Sequence, residues 1–408
     1  MSTEFAYTAR NARGKLIKGR VEASTQNAAL GKLRTLGVAP VSVEEVSAGT
    51  GLQAEIRIPG MSKGPALKDL AVMSRQMATM VGAGLSLLRT LSILAEQTEN
   101  KSLAKTLFVV KGEIESGQSL SDAMAKHPTV FPPLMISLVR SGETGGYLDK
   151  SLESIAESFE KEAKLRDTIK SALTYPVMVL VLAVVAVIAM LLFIVPVFDK
   201  MFKGLGSDLP APTQFLVNLS NGMPFILPPL VIGVIVFSLW WGANKNTERV
   251  RKVVDPLKFK LPVFGNLFRK VAIARFSRNF STMIGAGVPI LQALSIVGET
   301  AGNWVIEQAT KNVAESVRQG RSIAGPLADE PVFPSMVTQM VAVGEDSGSM
   351  ETMLRKVADF YDDEVASTTE ALTSLIEPLM ITFIGLIVGG MIVALYMPIF
   401  SIFDAISK

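Results

Sequence analysis

The chain has no cysteine and a single histidine, His127. Disulfide frameworks, thiolate zinc sites and cysteine nucleophiles are therefore excluded, as are metal centres built from several histidines. Charge of neither sign is in large surplus: 40 lysines and arginines face 37 aspartates and glutamates, a net +3 over 408 residues. That balance gives no support to a nucleic-acid partner held by phosphate neutralisation. The Gly-Lys pairs at Gly14 and Gly31 are each followed by Leu, so no P-loop is present. Neither a Gly-x-Ser-x-Gly elbow nor a His-Glu-x-x-His motif occurs. His127 precedes Pro128 and reads as a solvated loop side chain, because its repeat counterpart is Glu330. No enzyme activity, cofactor or metal is expected.

Apolar residues are plentiful. They make up 49% of the chain, with a mean hydropathy of +0.38, too apolar for an ordinary soluble protein. A charge-free run, residues 171–198, ends in VMVLVLAVVAVIAMLLFIVPVF. At 1.5 Å per residue that string gives about 33 Å of helix, enough for a hydrocarbon core of about 30 Å. LMITFIGLIVGGMIVALYMPIF matches it near the C-terminus, within an expected span 377–402. A third candidate, 225–242, is shorter, carries Pro228 and Pro229, and ends in an interfacial pair, Trp240 and Trp241.

Lysines and arginines crowd the approach to the first span and the exit from the middle one, whereas the loop 199–224 holds only Lys200 and Lys203. The positive-inside rule then puts the N-terminal region and the segment after the middle span in the cytoplasm, with the short loop and the C-terminal tail outside. The opening MSTEFAYTARNARGKL has no apolar h-region, so no cleaved signal peptide is expected.

TMVGAGLSLLRTLSIL begins at Thr79 and TMIGAGVPILQALSIV at Thr282, 203 residues on. At the same spacing Arg75 answers Arg278, Asn100 answers Asn303, and Gly117-x-Ser119 answers Gly320-x-Ser322. One residue then drops out, and Glu143 meets Glu345, Pro176 meets Pro378, and Pro196 meets Pro398. The chain is thus a duplication of a helical domain plus a membrane helix. The even number of spans between the copies places both on one side of the bilayer.

The expected fold is mainly α and integral to the membrane. Helical periodicity in Leu70, Met73, Met77 and Met80 makes each copy a bundle of about six helices, over 67–170 and 265–375, with its methionines in the core. Ser86 and Pro289 are expected to start matched helices, one capping and the other tolerating the first turn. SGETGG and GEDSG read as turns before long helices, and 243–264 as a basic linker. The first 46 residues differ: two alternating runs around NARG, a capped helix and a returning strand suggest a small β-β-α-β module, an α/β unit tethered by a flexible linker, 47–66.

Candidate partner contacts are Glu143, Glu345, Arg75 and Arg278. Two readings are open for the glutamates, a contact to a basic partner or a capping carboxylate at a helix N-terminus. The arginines read as snorkelling across the bundle surface. Candidate membrane-site residues are Tyr175, Pro176, Glu377 and Pro378 at the entries to the outer spans, and Gly385 with Gly389, a Gly-x-x-x-Gly face suited to close helix packing.

The opening FAYTARNARGKLIKGRVEA, the duplicated TM[VI]GAG, the Gly-Glu turns, and Tyr-Pro and Glu-Pro before the outer spans resemble the PilC/GspF family of inner-membrane platform proteins in type IV pilus and type II secretion machines. The resemblance covers essentially the whole chain. It implies two cytoplasmic bundles, three membrane helices and a homodimer. Its implied partners are a separate hexameric ATPase docked on the cytoplasmic side, pilin or pseudopilin subunits lifted from the bilayer, and other inner-membrane assembly components. It supplies no catalytic residues. A transporter is the remote rival, but three spans and scarce intramembrane charge disfavour it.

Overall fold

The computed structural model describes residues 3–10, 16–23, 28, 31–32, 39–45, 64–204 and 209–406. They fall into two units, Met1–Ser62 and Lys63–Lys408. In the first unit β1 (Thr3–Arg10) is the central strand of an antiparallel sheet, flanked by β2 (Leu16–Ala23) and β3 (Ala39–Glu45). Pro40 has no N–H to give; it sits on the edge strand β3 opposite Ala9, where the register shifts. Of the helix expected between β2 and β3, Ala28, Gly31 and Lys32 are helical and the remainder lies outside the described residues, as does the linker up to residue 63.

The second unit writes the repeat out in helices. The first copy comprises α1 (Leu67–Gly82), α2 (Leu87–Gln97), α3 (Lys101–Glu115), α4 (Leu120–Ala125), α5 (Pro133–Gly145) and α6 (Leu148–Ala189). A π turn at Met190–Ile194 carries α6 into α7 (Val195–Gly204). α8 (Ala211–Asn244) is the middle span, and α9 (Glu248–Lys260) leads into the second copy. That copy comprises α10 (Phe264–Gly285), α11 (Ile290–Thr300), α12 (Trp304–Arg318), α13 (Ala324–Ala328), α14 (Ser335–Ser347) and α15 (Met350–Ile406).

The repeated residues act as punctuation. Asn100 caps α3 by accepting from the Ser102 and Leu103 amides, both at 3.1 Å, and Asn303 caps α12 from the Val305 amide at 2.8 Å. Gly146 and Gly348 end α5 and α14 in the left-handed region, at φ 76° and 66°, where a side chain would strain the backbone. Four residues earlier, Gly142 and Gly344 lie buried against the start of the next helix, and a Cβ on Gly142 would fall 2.5 Å from Ser151 Oγ.

One continuous apolar core runs through both copies. Met73 and Met77 of α1 are buried, as expected; the repeat puts Phe276 and Phe280 in their places, and Phe276 packs on Phe333 with ring centroids 4.8 Å apart. Each such side chain contributes roughly 1.5–3 kcal/mol through burial, so the copies share a backbone plan while filling it with differently shaped residues.

Four expectations need correction. The loop expected over 199–224 is largely helical: α7 runs to Gly204 and α8 starts at Ala211, and the apolar side chains Leu216 and Val217 explain why, since they bury against the outer spans. The basic linker over 243–264 contains the helix α9, whose Asp255 is buried beneath α12. Glu143 and Glu345 stand in the last turns of α5 and α14; the turns themselves follow at Gly146 and Gly348. Ser86 makes no side-chain cap: it and Pro289 are equivalent because both hold an extended backbone, φ/ψ −63°/146° and −54°/135°.

Candidate functional site: paired levers and a hydroxyl clasp

α6 and α15 cross from the helical lobes into the apolar spans without a break, and α15 alone runs 57 residues, about 86 Å at 1.5 Å per residue. Each lever is tied to the first helix of its own lobe by the repeated arginine. Arg75 forks onto Glu160, with Nε–H and Nη2–H each donating at 2.7 Å, and also reaches Glu153. Arg278 donates to both oxygens of Asp362 and lies 3.7 Å from Glu162. Neither arginine snorkels. Glu160 and Asp362 are 202 residues apart, so the acid is duplicated with the base.

The two clamps differ in burial. Arg75 is 36% exposed and Arg278 only 6%. An exposed pair contributes about 0–1 kcal/mol, whereas removing one partner of a buried pair costs about 3–5 kcal/mol. The hydrogen bonds from Arg75 hold the Glu160 carboxyl below the usual range and push the arginine further into its charged form. Burial pushes Asp362 upward and outweighs the attraction of Arg278.

Glu143 accepts from the Leu120 and Ser121 amides at 2.6 and 2.9 Å, and Glu345 from the Ile323 and Ala324 amides at 3.0 and 3.2 Å. Each carboxylate therefore caps the N-terminal end of the neighbouring short helix, α4 or α13, complementing its orphan amides and dipole. Ser119 and Ser322 add the local cap at 3.1 and 3.4 Å. Of the two readings open for these glutamates, the geometry places the capping one; the carboxylates face backbone amides of their own lobe.

The lobes also meet each other. Lys161 on α6 reaches Asp359 on α15 at 2.9 Å, Arg275 on α10 reaches Glu162 on α6 at 2.6 Å, and Ser141 and Tyr147 donate to the Ala286 carbonyl at 2.7 and 3.0 Å. The Lys161–Asp359 pair is half-exposed and adds little energy, whereas Arg275 and Glu162 are more deeply placed, at 23% and 18% exposure. Cohesion comes from the shared apolar core, and the polar contacts fix the register in which the levers lie side by side.

At the membrane entries, Pro176 is buried in α6, while Tyr175, Glu377 and Pro378 are exposed. Gly385 and Gly389 have open space where a Cβ would stand, so no helix among the described residues packs against them. Between the outer spans lies an apolar cleft of about 390 Å³ lined by Leu180, Val184, Met223, Phe383 and Ile387.

Beyond that cleft the repeated prolines meet α8. Pro398 has no N–H for the carbonyl of Ala394, four residues back, and the Thr213 hydroxyl donates to that carbonyl instead. In α6 the π turn shifts the bonding register, pairing the Val195 amide with Met190, so the carbonyl facing the missing N–H of Pro196 is that of Leu191. Ser220 donates to it at 2.5 Å. Thr213 and Ser220 are both buried and stand two turns apart on one face of α8. Sequence reading missed them because isolated hydroxyls in an expected loop carry no signal; proline alignment at the span ends was the available clue.

Comparison with known proteins accords with this architecture. The type II secretion system protein F model matches residues 73–196 and 276–398, once per copy, and its N-terminal domain model matches residues 1–44. The chain belongs to the type II secretion system protein F family. Within this family it is 43% identical over 408 residues to the type IV pilus assembly protein PilC of Myxococcus xanthus, covering 99% of this chain and 96% of the relative. It is 44% identical to PilC of Thermus thermophilus over 404 residues, 99% of both chains, and 32% identical to type II secretion system protein F of Vibrio cholerae over 408 residues, 99% of both.

Proposed function

We propose that this protein F family member is the inner-membrane platform of a type IV pilus machine, coupling a cytoplasmic hexameric assembly ATPase to the extraction and polymerisation of pilin subunits. The observation that carries the reading is the unbroken passage of α6 and α15 from the paired lobes into the spans. A push or rotation applied to the lobes is delivered to the outer membrane leaflet, where the clasp joins both levers to α8. Identity of 43–44% to two proteins named for pilus assembly favours the pilus over a secretion pseudopilus, to whose protein F the chain is 32% identical.

In this reading the lobes and the small N-terminal α/β module, 1–46, face the cytoplasm, the C-terminus lies outside, and the platform works as a homodimer with other inner-membrane components. The chain lends mechanics to an engine that another subunit supplies. Deleting its gene and restoring it on a plasmid tests the assignment. The reading expects surface pili to vanish on deletion, with cellular pilin retained in the membrane, and to return with the plasmid; pili that persist without the protein overturn it.

A further inference from the structure

Among the described residues, helix α9 has one face that no other element covers. Its inner side packs on α10 and α12, burying Asp255, which accepts from the Trp304 amide at 2.9 Å and pairs with Lys258 at 2.8 Å. On the other side Val253 and Leu257, one turn apart, are 68% and 58% exposed. Arg249 and Lys260 flank them, both exposed and with no ion pair or hydrogen bond among the described residues. At 100° per residue these four side chains span less than a quarter of the helix circumference. Leu261 and Val263 extend the exposed apolar set past the helix end, Val263 with a φ of 71° that a β-branched side chain rarely adopts. The helix's two acids are kept off this stripe: Asp255 is buried and Glu248 lies on its flank.

Chain geometry keeps this stripe close to the bilayer. α8 ends three residues beyond the aromatic pair of exposed Trp240 and half-buried Trp241, which packs with Phe237 at ring centroids 6.1 and 6.0 Å and suits the headgroup level. Only Lys245, Asn246 and Thr247 separate α8 from α9, a link of about 10 Å at full extension. An apolar stripe edged by unpaired cations, held within a few turns of the interface, has the composition of a helix lying on an anionic membrane surface.

We propose that α9 docks on the bilayer, with Val253 and Leu257 entering the headgroup–acyl boundary and Arg249 and Lys260 holding anionic lipid headgroups. This goes beyond the platform reading and does not depend on it. It gives the second lobe a membrane foothold separate from its lever, so that lipid charge sets how firmly that lobe is held.

The absence of native cysteine permits a direct test with the full chain in lipid nanodiscs. An environment-sensitive fluorophore is attached at L257C, and for comparison at E315C on the exposed side of α12. In discs of phosphatidylcholine with phosphatidylglycerol, the first label is expected to shift to the blue and to be quenched by lipids carrying a nitroxide near the headgroup, while the second responds only to a water-soluble quencher. Each cation near an anionic surface favours docking about fivefold, so R249Q/K260Q is expected to lower the docked-to-free ratio about 25-fold. Three results overturn the proposal: a label at 257 reached only by the aqueous quencher, one shielded from both quenchers by protein, or lipid quenching unchanged between neutral and anionic discs. The comparison of L257C quenching between neutral and anionic discs decides the matter if the double variant fails to insert.

Discussion

Ser220 donates its hydroxyl to the Leu191 carbonyl at 2.5 Å, taking the place of the amide that Pro196 lacks. With the matching contact from Thr213 to Ala394, it makes α8 the element that completes the backbone bonding of both levers. A carbonyl without a partner inside a bilayer is costly, and interhelical hydroxyl bonds in membranes contribute about 0.6 kcal/mol on average and up to about 1.7 kcal/mol.

S220A is accordingly expected to destabilise the protein by about 1 kcal/mol in thermal unfolding in detergent. In a P196A background the helix regains its own amide, and the cost of S220A is expected to fall towards zero. Equal costs in the two backgrounds would show that proline and serine are uncoupled.

The clamps predict unequal responses to the same change. R278M leaves Asp362 in a buried site and is expected to cost about 3 kcal/mol or more, whereas R75M, at an exposed pair, is expected to cost under about 1 kcal/mol. Adding D362N to R278M removes the stranded carboxylate and is expected to restore part of the loss. Similar melting temperatures for R75M and R278M would contradict the burial difference.

Acid separates the clamps as well. Glu160 titrates below the ordinary 4.5 of glutamate, so its stabilisation is full above that pH and is lost as pH falls through the lower folded value. Asp362 titrates above its ordinary 3.8, so the folded state takes up its proton more readily and acidification relieves its burial penalty. Hydrogen exchange, corrected for intrinsic pH dependence, is expected to show α1 loosening before α10 once the pH is taken below 4.5.

E143A and E345A are each expected to cost about 1–2 kcal/mol by uncapping α4 and α13. Faster hydrogen exchange at Leu120–Ala125 and Ala324–Ala328, with membrane insertion intact, is the local signature. Unchanged exchange there would assign the carboxylates a different role.

The repeat, the outer spans and the six-helix plan of each lobe are legible because duplication doubles the signal: Asn100 with Asn303 and Gly117 with Gly320 fix the same helix ends twice. α9 escaped notice because its lysines mask the apolar period of Val250, Val254 and Leu257. The clamps were half visible. Arg75 and Arg278 stood out, but their acids lie 85 and 84 residues downstream and become partners only when the lever folds back across its lobe. The roles of Glu143 and Glu345 likewise depended on tertiary placement, since each caps a helix more than twenty residues away in sequence.

The central claim is that two homologous lobes, joined into one block, hang on levers from the same face of the membrane. Single cysteines at Lys111 and Lys311, exposed to a membrane-impermeant thiol reagent in sealed right-side-out cells and in inverted vesicles, test it most directly. Both sites are expected to react in inverted vesicles and to be protected in intact cells. Reaction of one site from each side would contradict the account.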